Sequence, residues 1–437
     1  MSHGGRVQTL GEQLAGTGLA DRPHTQPDTQ KERPLVWLLM GNRAGDNSQV
    51  LGLGEALGWR IEEKHFIYQR YEKLVNLPFC SNLLGVVREA SSVLEPPWPD
   101  VVISAGRKNE PIARYIRKRA RADRPGRPVR LVHVGRPWAA IDTWDLVVTT
   151  PQYRLPDVPN VVHNETPLHR ITPERLADAA DAWRERVASL PRPRIALLAG
   201  GNSGPYPFDR ASGERLARKA DALARELGGS LLVTTSARTL DETIEALFGR
   251  IESPSILYRW KKNDPDNPFF AFLGLADRVI VTADSVSMMT EACATGRPVY
   301  LYDTGEGRTS MKENPWLDGL ATENEPPGLG LSRWHLKAHV YRLTMRLGPQ
   351  RLTRDIRIVQ KLLVESQRAV WLGDGHPRSD PPPLEDMDRA VSRVRALIEP
   401  RGSGIAEETS HPVHRASVSG PNAGSRSRRL RTGTHRS

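Results

Sequence analysis

A chain of 437 residues, rich in Leu, Val, Ile and Ala but poor in aromatics, has room for two helix-on-sheet domains, and no apolar run reaches the roughly 20 residues needed to span a bilayer. Its only cysteines, Cys80 and Cys293, lie far apart without ligand-like spacing, which excludes a disulfide scaffold or a zinc site and fits a reducing cytoplasm. Part of the net charge of +11 sits in a tail with seven arginines from Arg401 onward against Glu407 and Glu408; without an interleaved aromatic–basic stripe, nucleic acid is not an expected partner.

Residues 1–33 are polar and carry Glu12, Asp21, Asp28 and Glu32. They lack the apolar centre of a secretory signal, and transit peptides avoid acids, so a disordered extension is expected. The folded part starts at Pro34. Leu35–Met40 (LVWLLM) is a continuous apolar run ending at Gly41, as in a strand buried on both faces of a parallel sheet. A turn-rich link follows, then a helix carrying Val50, Leu51, Leu53 and Leu57. Strands at Val101–Ser104, Val129–Val134 and Leu146–Thr149 repeat the pattern, with a helix over about Pro111–Ala122. Together they predict a parallel sheet covered by helices.

Thr172, Pro173 and Glu174 open a helix with Thr as cap and Pro in first position, and Leu176, Ala180, Trp183 and Val187 mark its buried face. Pro191–Arg192–Pro193 closes it. A second cycle then begins: a strand at Ile195–Ala199, a glycine loop at Gly200–Gly204, a helix at about Ser212–Leu227 and a strand at Ser230–Thr234. Further strands are read at Ile256–Tyr258, Arg278–Thr282 and Val299–Tyr302. The expected organisation is an N-terminal extension (1–33), an acceptor domain (34–190), a nucleotide-binding domain (191–345), C-terminal helices (346–399) and a disordered basic tail (400–437). The fold class is α/β, two Rossmann-type domains with parallel sheets facing a cleft.

The leading candidate site is Thr282–Glu291. The strand turns through Ala283, Asp284 and Ser285 into a helix that Ser285 or Ser287 can cap, and the free N–H groups at such an end favour a phosphate. Glu291, close to two turns on, can accept hydrogen bonds from a ribose diol. An ordinary capped helix fits the same spacing. Gly200, Gly201, Asn202 and Ser203 follow a strand directly, so their backbone can approach a diphosphate, although no Lys–Ser/Thr pair completes a Walker pattern. Thr235, Ser236 and Arg238 place hydroxyls and a cation at another strand end, where caps are also common.

In the first domain Arg43, Asp46 and Asn47 make an unusually polar strand–helix link. Asp46 suits a general base on an acceptor hydroxyl, or a plain cap. Arg107, after Gly106 and before Lys108, can meet anionic acceptor groups. The basic helix from Pro111 to Arg124 has a small apolar stripe and suits either a solvated face or peripheral contact with an anionic inner membrane. No HExxH, GxSxG, CxxC or GxGxxG pattern stands in the right context, which removes protease, serine hydrolase and Rossmann dehydrogenase readings. No metal or cofactor is expected.

These motifs resemble the bacterial branch of the elongated-mitochondria (mitochondrial fission) protein family. GNRAGDNSQVLGLGEALG at 41–58, SAGRKNEPIARYIRK at 104–118, LLAGGNSGPY at 197–206, VTTSART at 233–239 and the long segment 267–302 carry the resemblance, which spans roughly residues 35–375. It implies a GT-B-like fold. The second lobe is also similar to that of the lipid-linked N-acetylglucosaminyltransferase of peptidoglycan synthesis. By position, that similarity assigns the nucleotide donor to Gly200, Gly201, Ser203 and Glu291, with Ser285 and Ser287 at the helix start. That enzyme's first loop holds a histidine; here Arg43, Asp46 and Asn47 fill it. The expected activity is transfer from a nucleoside-diphosphate sugar to an acceptor that the sequence does not name. A sugar-nucleotide epimerase and a non-catalytic scaffold remain the alternatives.

Overall fold

The computed structural model describes residues 33–70, 80–204, 206–305, 310–312, 340, 343, 347 and 354–398. The expectations for the N-terminal extension and the basic tail lie outside these residues, apart from Arg33. None of the described helices is long and apolar enough to cross a membrane.

The first lobe is built from β1 (Leu35–Met40), α1 (Ala44–Leu57), β2 (Arg60–His65), β3 (Val101–Ala105), α2 (Glu110–Asp123), β4 (Arg130–Val134), β5 (Leu146–Thr149) and β6 (Val161–His163). Its six strands are parallel in the order β2-β1-β3-β4-β5-β6. β1 shows why the run LVWLLM is a strand. Val36, Leu38 and Met40 enter one apolar cluster, whereas Leu35, Trp37 and Leu39 enter the cluster on the opposite face. Each such side chain removed from water contributes about 1.5–3 kcal/mol. Helix α1 covers one face closely because of two glycines: a Cβ at Gly54 would stand 2.7 Å from Leu38, and one at Gly52 would stand 2.4 Å from the His169 carbonyl. Helix α2 covers the other face with Ile112, Ala113, Ile116 and Ala120. The apolar stripe that a membrane-lying helix would use is thus packed on the sheet.

The second lobe follows α3 (Pro173–Trp183) and contains β7 (Arg194–Leu198), α4 (Arg210–Glu226), β8 (Ser230–Thr234), α5 (Asp241–Phe248), β9 (Ser255–Tyr258), α6 (Phe269–Leu275), β10 (Arg278–Thr282), α7 (Val286–Ala294), β11 (Val299–Tyr302), α8 (Arg357–Glu365) and β12 (Val370–Trp371). The sheet order is β12-β11-β10-β7-β8-β9. Counted from β7, this is the Rossmann order, with strand direction of travel reversing between β7 and β10. Two Rossmann-type lobes in one chain are the GT-B-like arrangement that the family resemblance implies.

Thr172 caps α3 as expected, accepting a hydrogen bond from the Arg175 amide at 3.2 Å. Leu176, Ala180 and Val187 then pack with Phe272 in the core of the second lobe. The last helix, α9 (Asp386–Arg395), returns to the first lobe, where Ala390 and Val394 join Val36 and Leu53. The polar edge strand β2 (RIEEKH) and the short strands β6 and β12 were not foreseen, because they lack the apolar runs that mark the interior strands.

One buried carboxylate fastens the return. Asp386 accepts from the Glu165 amide at 2.8 Å, the Thr166 amide at 2.8 Å and the Thr166 hydroxyl at 2.7 Å. Removing it would strand two backbone donors, each costly when unsatisfied. Asp386→Ala is expected to lower stability by about 2–4 kcal/mol, and Thr166→Val by about 1 kcal/mol, both read from urea unfolding.

Candidate functional site at the lobe junction

In the first lobe the reversal of strand order falls between β1 and β3, so the loops after these strands flank one crevice at the carboxyl edge of the sheet. The loop after β1 is fixed by Asn47, whose Oδ1 accepts from the Gly41 amide at 2.8 Å while its Nδ2 donates to the Gly41 carbonyl at 2.9 Å. Asn47 therefore shapes the loop. Asp46 lies over Gly106, where φ is +72° and a Cβ would stand 2.9 Å from its Oδ2. Only glycine suits that position, on both counts. Burial raises the Asp46 carboxyl above its ordinary value, opposed by Arg43 and Arg354. These loops open on a cavity of about 330 Å³ whose lining includes Arg43, Asp46, Asn47 and Arg107.

In the second lobe the crevice lies between the loops after β7 and β10. The glycine amides are already engaged: Gly200 donates to Thr282 Oγ1 at 2.7 Å, and Gly201 to Asp284 Oδ2 at 3.1 Å. The same Asp284 oxygen accepts from Arg238 at 2.9 Å. A Cβ at Gly200 would stand 2.2 Å from Asp284 Oδ1, so this carboxylate sits directly against the loop. Burial raises its carboxyl, while Arg238, Thr282 and the Gly201 amide act in the opposite sense.

The remaining candidates split. Asn202 accepts from the Phe208 amide at 2.6 Å, and Ser203 pairs backbone to backbone with Tyr206. Thr235 accepts from the Trp260 amide at 2.9 Å, and Ser236 donates to the Gly200 carbonyl at 2.9 Å. These four hold loops together. Of the two serines expected as alternative caps, Ser287 is the second residue inside α7, and Ser285 occupies the cap position but its side chain makes no capping bond. The first N–H groups of α7 thus receive nothing from that hydroxyl.

Across the junction α1 and α7 meet near their amino ends. Ser48 donates to Glu291 Oε1 at 3.4 Å, and a Cβ at Gly45 would be 3.5 Å from Ser287 Oγ. Glu291 is buried, which pushes its carboxyl up to about 7, against a lowering influence of Ser48 and, more weakly, Arg170. The sequence reading gives Ser48, Arg136 and Arg354 no role and holds Asp284 only as part of the turn before α7. A second strand-end glycine–cation pair, Gly135–Arg136 after β4, is a legible sign beside Gly106–Arg107; Arg354 reaches the first-lobe cavity from far along the chain and has none.

A two-lobed α/β protein with a crevice at the reversal point of each sheet is a GT-B-like protein. The chain belongs to the family described as Mitochondrial fission ELM1, whose model matches residues 44–323. It is 29% identical over 257 residues to the mitochondrial fission protein ELM1 of Arabidopsis thaliana, covering 53% of this chain and 58% of that protein, little more than half of the relative's length. It is 19% identical over 300 residues to an uncharacterized protein of Rickettsia prowazekii (strain Madrid E), covering 61% of this chain and 82% of that one. Among solved structures, a UDP-GlcNAc 2-epimerase from Methanocaldococcus jannaschii matches with a TM-score of 0.40 and 12% identity over 76% of this chain and 99% of that chain. A glycosyltransferase from Rickettsia africae matches with a TM-score of 0.39 and 10% identity over 84% and 98%.

The raised Glu291 carboxyl has a consequence for stability. Unfolded, it titrates near its ordinary value of 4.5; folded, at about 7. Between those values the native state holds a proton that the unfolded state has lost, so its contribution is complete below the lower value and disappears as pH rises through the upper one. Unfolding free energy is expected to fall by about 3 kcal/mol between about pH 5 and pH 8 from this group. Glu291→Gln removes that component, as measured by urea unfolding across the range.

Proposed function

We propose that the protein transfers a sugar from a nucleoside diphosphate, bound against the second lobe, to an acceptor hydroxyl presented by the first. The observation that carries this reading is the meeting of α1 and α7 at Ser48–Glu291 and Gly45–Ser287. It sets an uncapped helix amino end of one lobe beside the Asp46 loop and cavity of the other. The amino end of α7 supports a diphosphate through its free N–H groups and positive dipole end. Glu291, released from Ser48, would accept hydrogen bonds from the ribose hydroxyls. Asp46 would take the proton of the acceptor hydroxyl as its oxygen bonds to the anomeric carbon. The bond from that carbon to the phosphate oxygen breaks, and the nucleoside diphosphate leaves with the electron pair. Burial raises the affinity of Asp46 for that proton.

A second reading, a non-catalytic scaffold of the same fold, is favoured by one observation: Asp284 already satisfies the Gly201 amide and Arg238, the groups first assigned to a diphosphate. A thermal-shift panel of nucleotides and nucleotide sugars separates the two. The transferase reading expects one nucleotide sugar to stabilise the wild type by about 2.7 kcal/mol at a hundredfold excess over its Kd, and Glu291→Ala to abolish the shift. Response to no nucleotide would leave the scaffold. With the sugar that binds, Asp46→Asn is expected to keep the shift and lose about a hundredfold or more in kcat.

A further inference from the structure

The aromatic rings of this chain are mostly withdrawn from water, and Trp138 departs from that pattern. It is 58% exposed, the one exposed Trp, Tyr or Phe among the described residues, although its chain neighbours Pro137 and Ala139 are buried. A lone apolar residue on a surface needs no explanation. This one lines the first-lobe cavity, and the chain holds it there at two points. Glu110, buried at the start of α2, accepts from the Trp138 and Ala139 amides at 2.7 and 2.8 Å. The Arg107 guanidinium lies 4.8 Å from the ring centroid. A Trp fixed in both backbone and ring offers a large contact surface with little left to order when a ligand arrives.

The loop after β3 brings that ring close to Asp46. A Cβ at Gly106 would stand 2.9 Å from Asp46 Oδ2, and the next residue, Arg107, is the one that lies on Trp138. Asn109, buried in the same loop, donates to the Leu39 and Ala105 carbonyls at 2.8 and 3.2 Å and so ties it to the end of β1. Asn42 and Gln49 add polar side chains to the lining of a cavity of about 330 Å³, within the range of about 300–1,000 Å³ usual for small-ligand sites. A sugar ring has the matching surface. Its C–H groups form an apolar face that covers an aromatic ring, and the hydroxyls around its edge donate to a carboxylate. A lipid tail would cover the ring equally well but would bury Asp46 without a donor.

We propose that the first-lobe cavity binds a saccharide, one sugar ring lying on Trp138 with its hydroxyls donating to Asp46. Taken with the transferase proposed above, it makes the acceptor a saccharide; that last step rests on the transferase reading, whereas the saccharide site does not.

Saturation-transfer-difference NMR titrations of the full chain with the methyl pyranosides of glucose, galactose, mannose and N-acetylglucosamine test the site. Saturable binding of at least one is expected, with saturation strongest on its ring C–H protons. Trp138→Ala and Asp46→Ala are each expected to weaken it about tenfold, whereas Trp138→Phe, which keeps an aromatic face, retains most of the affinity. Matching urea transitions establish that the variants fold. Glu291→Ala is expected to bind the glycoside as the wild type does. Absence of saturable binding by all four, or equal affinity in the wild type and Trp138→Ala, overturns the inference. So does Trp138-dependent binding of uridine or adenosine in place of the glycosides, which would assign the ring to a base. Trp138-dependent sedimentation with phosphatidylcholine vesicles, without glycoside binding, would assign it to a membrane and overturn the inference equally. Glycoside binding without any nucleotide response would remove the transferase and keep the saccharide site. The reverse pattern would keep the transferase and give it an acceptor of another class.

Discussion

A strand can follow another in parallel only after the chain has crossed back over the sheet, so every loop that leaves a strand's carboxyl end emerges on the same edge. The candidate site of this molecule lies along two such edges. In the first sheet the loops after β1, β3 and β4 open on one cavity; in the second the loops after β7 and β10 close on one another. Helices α1 and α7 start beside these edges and touch through Ser48 and Glu291. Chain crossings hold the edges in that relation. Helix α9 returns to the first lobe under the control of Asp386, and Arg354, just before α8, bonds Gln152 of the first lobe at 2.8 Å.

Charge burial gives the junction its character. Asp46, Asp284 and Glu291 each have a carboxyl raised by desolvation. Their compensation differs: Asp284 has a cation and an amide at hydrogen-bonding distance, whereas Glu291 has a single hydroxyl from the opposite lobe. Glu291 is thus the less compensated of these two carboxyls. On the first-lobe side, aromatic rings lie against Arg107, Lys108 and Arg136 of the cavity.

Much of the fold was legible in the sequence because its signals are local. LVWLLM, the glycine loops and the Thr–Pro–Glu helix start each declare an element within a few residues. Polar β2 declared nothing, since an edge strand has no need of a two-faced apolar pattern. Site residues divided on the same principle. Glu291 and Asp46 could be picked out by their distance from a strand end, but their partners could not. That Gly201 donates to Asp284 rather than to a ligand depends on β7 and β10 being neighbours, a fact of sheet order. The α3 helix precedes the second sheet and α9 follows it, yet each packs where tertiary contacts direct, α3 on the second lobe and α9 on the first. Arg354 joins a cavity formed by residues hundreds of positions earlier, and no periodicity reports such a contact.

The central claim is that a nucleotide's ribose and diphosphate settle at the amino end of α7. Saturation-transfer-difference NMR of the full chain with a panel of nucleotide sugars addresses it directly. The account predicts strong saturation of the ribose protons of one nucleotide class, competed away by the matching free nucleoside diphosphate. Saturation confined to the sugar, or none for any nucleotide, would contradict it.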